Sequence, residues 1–596
     1  MVRRLDGPAK AFGTADYPQD LTPPPDCLHV ATVRSSVAAG RIGRLDPAAA
    51  LATEGVLRVL TAADVPGTNR FGLVEADQPV LADQVVRGAS DVVALVIATS
   101  ERAAREGARR VALKVAPVPL LLDPERACEA SAPIVHPSRR GLTDHPNLLA
   151  VRTLRRGAAA RELAGSAIVV RGEYRTESVE HAFLAPEAGL AIPDGQGGLV
   201  LHVATQWPEA DLRQAATALG ERLEDLRLVQ ATIGGAFGGR EDISLQILLL
   251  LAARLTGRPV RMVWDRAESI RGHGKRHPFR IRHQLGADGQ GRLTAARIDV
   301  LIDAGCYAST SGGLLDNALA QATGPYRIGH LTIEGRAVFT HNPFTCAFRG
   351  FGVNQVSFAM EQQIGKLAAA LGRDPGELRR INLIRGRATL GPGSTAAVGD
   401  GAFATLAAVL ARVRRRRRPT TKGPVHAGRG IAAAIKNVGF GFGSDDRATA
   451  EVVIGPGRVR VRVGAADVGQ GSETVLAQIA ADTLGVPFGR VTVEWRDSGL
   501  APEAGSASAS RLTMFAGNAV AGACQRAARA GALEKHRPRS ARERVFRAVY
   551  RGPRTVSLGS GATGRHAAGY GWSSCVADVS VDIETGVVTV HRVVVA

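Results

Sequence analysis

No two of the six cysteines, Cys27, Cys128, Cys306, Cys346, Cys524 and Cys575, stand within four residues of one another. Zinc ribbons and iron–sulfur clusters take their thiolates from closely spaced cysteines, so neither is expected in this chain. Long apolar runs are also missing. The longest, Ile243 to Leu251, is interrupted by Ser244 and Gln246 and falls far short of the ~20 residues that span a bilayer. The N-terminus has no apolar segment behind Arg3 and Arg4, which argues against a secretory signal. The expectation is a cytoplasmic protein that does not enter a membrane. Aromatic residues are scarce, at 4%. That weakens a nucleic-acid reading, because single strands are bound largely by stacking.

Positive charge is plentiful: Lys and Arg number 75 against 55 Asp and Glu, a net +20, and nearly all the bases are arginine spread along the chain. The one dense run is Arg414 to Arg418. It follows Phe403, Leu406, Leu410 and Val413 at helical spacing, with Asp400 placed to cap that helix and Pro419 just beyond. It reads as a basic helix end favourable to the helix dipole. A basic face toward an acidic partner subunit or an anionic substrate suits the charge as well as nucleic acid does. With 596 residues and 69 glycines, the chain is too long for one core and rich in turns.

Patterning predicts an α+β chain in three parts: 1–134, 135–400 and 426–596, with 401–425 as a basic linker. Val56 to Leu60 and Val92 to Ile97 read as strands, and Ser100 starts a helix through Ala112. Three hairpins alternate at period two: Ile281–Leu285 with Leu293–Ile298, Ala450–Ile454 with Val459–Val463, and Val579–Ile583 with Val588–Val593.

Four glycine- or serine-rich loops each lead toward a helix. Gly234 to Gly239 precedes a helix expected from about Asp242. Arg349-Gly350-Phe351-Gly352 precedes one with Val356, Met360, Ile364, Leu367 and Leu371 on one face. Gly469-Gln470-Gly471 and Gly505 to Ser510 precede two more. One such loop at a helix N-terminus is an ordinary tight turn. Four together suit a large anionic cofactor held by backbone N–H groups. A G-x-G-x-x-G at Gly559, Gly561 and Gly564 leads into no helix and reads as a loop. Pro278 ends any helix through His273 and His277, so that pair reads as packing and not as metal ligands.

Gly234-Gly235-Ala236-Phe237-Gly238-Gly239-Arg240-Glu241, Phe348 to Gly352 and Asp467-Val468-Gly469-Gln470-Gly471, in this order, resemble the large subunit of molybdenum hydroxylases of the xanthine dehydrogenase/aldehyde oxidase family. The nearest likeness is to the bacterial xanthine dehydrogenase type. It covers nearly the whole chain, from Asp6-Gly7-Pro8-Ala9-Lys10 through Leu60 to Pro66. The resemblance implies a hammerhead domain followed by two mixed α/β molybdenum-cofactor-binding domains. The cofactor implied is molybdenum on molybdopterin, plain or as its cytosine dinucleotide. Iron–sulfur and FAD subunits are implied as partners, with no iron–sulfur cluster or flavin in this chain. By the same resemblance Gln206, Gly235, Phe237, Gly238, Arg349, Gly469, Gln470, Gly471 and Ala509 bind the cofactor. Gln206, Phe237, Arg349 and Ala509 surround the molybdenum. Glu241, Arg349 and Phe351 meet the substrate, a small heteroaromatic or an aldehyde. A flat heterocycle needs an aromatic face, and its developing negative charge needs a fixed guanidinium.

The chain departs from the family in several places. Ser309 to Gly313 holds no arginine to face Glu241, and Ala433-Ala434 replaces a stacking aromatic. Cys346, three before Arg349, resembles the carbon monoxide dehydrogenase arrangement. The family's general-base Glu falls beyond Ala596, so no catalytic residue is assigned. The expectation is a truncated or split subunit, with an inactive, partner-binding remnant as the alternative.

Overall fold

The computed structural model describes residues 2–391, 394–414, 423–534, 537–538, 543–558 and 564–596. Arg415 to Arg418 and most of the G-x-G-x-x-G stretch at 559–564 therefore lie outside the described residues.

Period-two runs of Val, Ile and Leu build the sheets. The largest has seven strands, ordered Leu226–Gln230, Leu199–Val203, Ala188–Pro193, Val260–Val263, Leu28–Arg34, Val92–Ala98 and Val56–Leu60. It draws strands from both sides of residue 134, so the first two parts share one sheet through the parallel pairing of Leu28 with Val260. A five-stranded sheet follows, ordered Leu148–Arg156, His330–Phe339, Leu293–Gly305, Phe279–Ala287 and Ile168–Thr176. The third part carries a four-stranded sheet around the pair Arg447–Gly455 and Arg458–Arg462, and a three-stranded one of Val425–Val438, Gly569–Asp582 and Val588–Val595. With its helices packed on these sheets the fold is α+β.

Three corrections concern elements. The helix expected from Asp242 starts at Gln246 and runs to Thr256. Gln246 folds back and its Oε1 accepts from the N–H groups of Ser244 (2.8 Å) and Leu245 (2.9 Å), ending the preceding loop as a cap would. The helix after Ser100 ends at Arg110, and Ala112–Pro117 is a strand. Ser100 does cap it, accepting from Ala103 N–H at 3.2 Å. The helix expected through Phe403, Leu406, Leu410 and Val413 forms as Gly401–Arg414, but it packs as part of the folded body where a linker was expected. Ala402, Leu406, Val409 and Val413 lie on its one face and are buried where the helix packs on the three-stranded sheet of Val425–Val438, Gly569–Asp582 and Val588–Val595, because apolar residues at this spacing are more stable buried than strung along a connection.

Helix Val353–Ala370 buries Val356, Met360, Ile364 and Leu367. Helices Ser472–Leu484 and Leu512–Arg529 pack on each other in the third part. Each of the three starts just after one of the glycine- or serine-rich loops, so packing of the helices fixes where the loops meet.

Candidate cofactor and substrate site

Gln206 follows the strand Leu199–Val203 and is 2% exposed. Its Oε1 accepts from the N–H groups of Gly238 (3.0 Å) and Arg240 (3.3 Å), and its Nε2 donates to the Ala507 carbonyl (2.9 Å). Its backbone joins the same loops: Gln206 N–H donates to Arg240 O, and Ala507 N–H to Gln206 O, both at 2.9 Å. One amide thus ties the Gly234–Gly239 loop to the Gly505–Ser510 loop and keeps one Nε2 hydrogen beyond its bond to Ala507.

The Gly234–Gly239 loop turns sharply. Gly235 and Gly238 have φ of 98° and 104°. A Cβ on Gly238 would sit 2.7 Å from the Ala347 carbonyl, so only glycine allows this approach to the neighbouring loop. Arg240 braces the turn from behind, donating to Gly235 O (3.0 Å) and Ala185 O (2.6 Å). Phe237, also left-handed at 55°, is 44% exposed. Its carbonyl accepts from Arg349 N–H at 2.8 Å, which draws Arg349 to the site.

The Arg349 side chain is exposed and forms no hydrogen bond or ion pair among the described residues. Phe351 has φ 48°, and Asn317 Nδ2 donates to its carbonyl at 2.6 Å. Ala509 has φ 49° and accepts from Gly439 N–H at 3.0 Å. Four non-glycine residues of these loops, Phe237, Phe351, Ala509 and Ser510, hold left-handed backbone. Such strain costs of order 1–3 kcal/mol each and gathers where function demands a fixed shape.

Glu241 is 6% exposed and accepts from Ser506 Oγ at 3.2 Å. Burial pushes its carboxyl up to about 7, against the opposing effect of the Ser508 and Ser506 hydroxyls. Burial likewise raises Asp242 to about 6, with Ser309 Oγ donating to it at 2.8 Å. Ser309 therefore faces Asp242. Ala433 is 2% exposed and its N–H bonds Glu361.

The Gly469–Gly471 loop is built differently from the expectation. Asp467 Oδ1 accepts from Gly469 N–H (2.9 Å) and Gly471 N–H (3.1 Å). Gln470 turns its amide onto its own loop, accepting from Val468 N–H at 2.7 Å and donating to Ala466 O at 3.0 Å. Two of the N–H groups expected to cradle an anion are thus already paired. On the outside, Arg4 Nη1 donates to Gly469 O at 3.0 Å. A Cβ on Gly469 would meet nothing within 4 Å, so this loop borders open space.

Sequence reasoning missed Arg511. It is 0% exposed, donates from Nε to Asp446 Oδ1 at 2.8 Å and from Nη2 to Arg447 O at 2.6 Å, and bonds the Ala504 and Ser506 carbonyls. It therefore holds the Gly505–Ser510 loop. The available signal was an arginine at the N-terminus of a helix, where the dipole disfavours a cation. His181, His273 and Cys346 bring ligand atoms within 4.8 Å of one another. Three of the four ring nitrogens are already engaged, His181 Nε2 with Ala347 O (2.8 Å) and His273 with Gly239 O (2.8 Å) and Gly274 O (3.0 Å), and only His181 Nδ1 is left without a partner among the described residues. The cluster therefore reads as packing behind the loops.

Residues 142–383 and 405–596 match molybdopterin cofactor-binding domains. Residues 12–119 match the a/b hammerhead domain of aldehyde oxidase and xanthine dehydrogenase. The chain is 33% identical over 519 residues to a probable xanthine dehydrogenase subunit from Bacillus subtilis, covering 87% of this chain and 68% of that protein. It is 34% identical over 403 residues to the nicotinate dehydrogenase large molybdopterin subunit of Eubacterium barkeri, covering 68% of this chain and 93% of that one.

The chain belongs to the xanthine dehydrogenase/aldehyde oxidoreductase family.

The members it matches are molybdenum-dependent oxidoreductases, and its second and third parts are molybdopterin-binding domains. The aldehyde oxidoreductase from Desulfovibrio gigas superposes with a TM-score of 0.90 at 26% identity, over 99% of this chain and 67% of that one. Among the described residues no helix is long and apolar enough to cross a membrane.

Proposed function

We propose that this chain is the molybdenum-cofactor-binding subunit of an oxidoreductase that hydroxylates a purine-like heterocycle or an aldehyde, with water as the oxygen source. The observation that carries the proposal is the Gln206 clasp, which brings the Gly234–Gly239 and Gly505–Ser510 loops to one point with strained, left-handed residues on both.

These residues fit the cofactor. Gln206, Phe237, Arg349 and Ala509 would surround the metal. Gly235, Gly238 and the Gly469–Gly471 loop would border the pterin, plain or as the cytosine dinucleotide. When bound, the cofactor supplies the two-electron redox chemistry. This chain's part is to orient the substrate. Phe351 offers a face to a flat ring. The free Arg349 guanidinium stabilises negative charge. Glu241, raised to about 7, is largely protonated below that pH and can donate to a ring nitrogen or oxygen. Cys346 is 0% exposed and packed against Gly274, which disfavours a carbon monoxide dehydrogenase-type use of its thiol. Iron–sulfur and FAD subunits would carry the electrons onward, in the cytoplasm.

Molybdenum per chain, measured by elemental analysis after expression in a host that makes the cofactor, tests this. Near-stoichiometric metal is expected; folded protein without metal would overturn the proposal.

A further inference from the structure

Arg349 sits at the start of a loop that cannot hold its own direction. The three residues after it, Gly350, Phe351 and Gly352, have φ of 101°, 48° and 84°; the glycines take this backbone freely, and Phe351 keeps it only where its surroundings hold it. Asn317 Nδ2 holds the Phe351 carbonyl and Phe237 O holds Arg349 N–H, and a further hold lies one residue before Arg349. The Phe348 ring is sandwiched: the Arg276 guanidinium carbon lies 3.8 Å from its centroid, and the His181 imidazole stacks on it at 4.0 Å with a 21° interplanar angle.

We infer that Arg276, acting through Phe348 and His181, is the positioning residue that sets the direction of Arg349. The inference rests on the reading of Arg349 as the group that orients substrate. Arg276 does three things at once. It covers Phe348, it donates from Nη2 to the Arg349 carbonyl at 3.1 Å, and it reaches Asn354 Oδ1, in the first turn of helix Val353–Ala370, from Nη1 at 3.4 Å. A planar fork can serve a ring face and two acceptors together, where an ammonium cannot. The sandwich is itself anchored. Arg276 N–H donates to Val179 O (2.9 Å), Lys275 N–H to Phe344 O (3.0 Å) and Cys346 N–H to Lys275 O (2.9 Å). His181 bonds the Ala347 carbonyl, so both sides of the ring are tied to the segment that leads into Arg349.

Charge acts in the same direction. Burial, with the neighbouring His273 adding to it, pushes His181 down to about 3. The imidazole is therefore neutral and does not repel Arg276 across the ring. Arg349 and Arg276 are like charges on adjoining segments. With Arg276 fixed behind the loop, like-charge repulsion favours the exposed Arg349 side chain on the side away from it.

The test is hydrogen exchange by mass spectrometry on the full chain and on R276M and R276K. R276M is expected to speed exchange at residues 347–352 roughly tenfold or more, the loss of one charge-assisted bond, with strand Phe279–Ala287 unchanged. R276K restores a cation over Phe348 without the fork and is expected to fall between. Unchanged exchange at 347–352, or an equal rise across the whole five-stranded sheet, overturns the inference. On molybdenum-loaded protein, R276M should raise KM with metal content unchanged; a loss of metal content overturns a role confined to Arg349. If the wild-type chain takes up no molybdenum, the proposed function fails, and the exchange result still decides what Arg276 does.

Discussion

Glu241 is an acid kept out of water beside a second acid, Asp242. Its folded pKa, raised by burial to about 7, lies above the ~4.3 of a free glutamate. Between those values the unfolded chain has released the proton and the folded one has kept it. Stability therefore falls as pH rises from about 4 to 7, by up to about 4 kcal/mol from this residue alone. Asp77 and Asp211, both raised to about 7 by burial, add slope of the same sign. Glu241→Gln is expected to flatten the thermal midpoint against pH across this window, and a slope equal to wild type would contradict the assignment. The sequence likeness picked out Glu241, but its protonation came from burial, which no local pattern of residues reports.

At the scale of elements, the site is a set of loop crossings. One of them is Gly238 against Ala347. Gly238→Ala must either strain a left-handed residue or push the Arg349 loop back by the 2.7 Å contact with the Ala347 carbonyl. A loss of about 1–3 kcal/mol is expected, read as a lower denaturant midpoint with the slope unchanged, together with lower molybdenum content. A variant as stable and as metal-loaded as wild type would show that the two loops do not depend on each other. Loop-to-helix order was legible because glycine and serine runs end one apolar period and begin the next. The start of helix Gln246–Thr256 was not legible, because the Gln246 side chain folds back onto the N–H groups of Ser244 and Leu245 and keeps them in the preceding loop. The pairing of Asp467 with the Gly469 and Gly471 N–H groups was hidden for a similar reason: an aspartate two residues before a glycine loop can face either inward or outward.

Across the whole molecule, the N-terminal arm joins parts far apart in the chain. Arg4 bonds Gly469 O, Leu5 N–H donates to Thr474 Oγ1 at 3.0 Å, and Thr232 N–H donates to Asp16 O at 3.0 Å. The arm thus runs from the Gly469 loop to the strand end before Gly234. Deleting residues 2–11 is expected to raise hydrogen exchange at 467–474 several-fold while leaving the five-stranded sheet protected. Equal protection with and without the arm would show that it only rests on the surface. The stacking of Trp207 on Phe440, centroids 5.6 Å apart, is a second bridge between the second and third parts.

The sequence by itself determined the α+β class, the hairpins, the amphipathic face of helix Val353–Ala370 and the family, because each is written in local period or in loop motifs of fixed order. Tertiary structure alone decided that strands from the first two parts share one sheet, that residues 401–414 pack as a core helix, and that Gln206 clasps two loops about 30 and 300 residues away in the chain. It also decided that Arg511, Arg276 and His181 stand behind the loops. Those outcomes depend on which surfaces meet after collapse, and long-range contact leaves no periodic mark on the residues that make it.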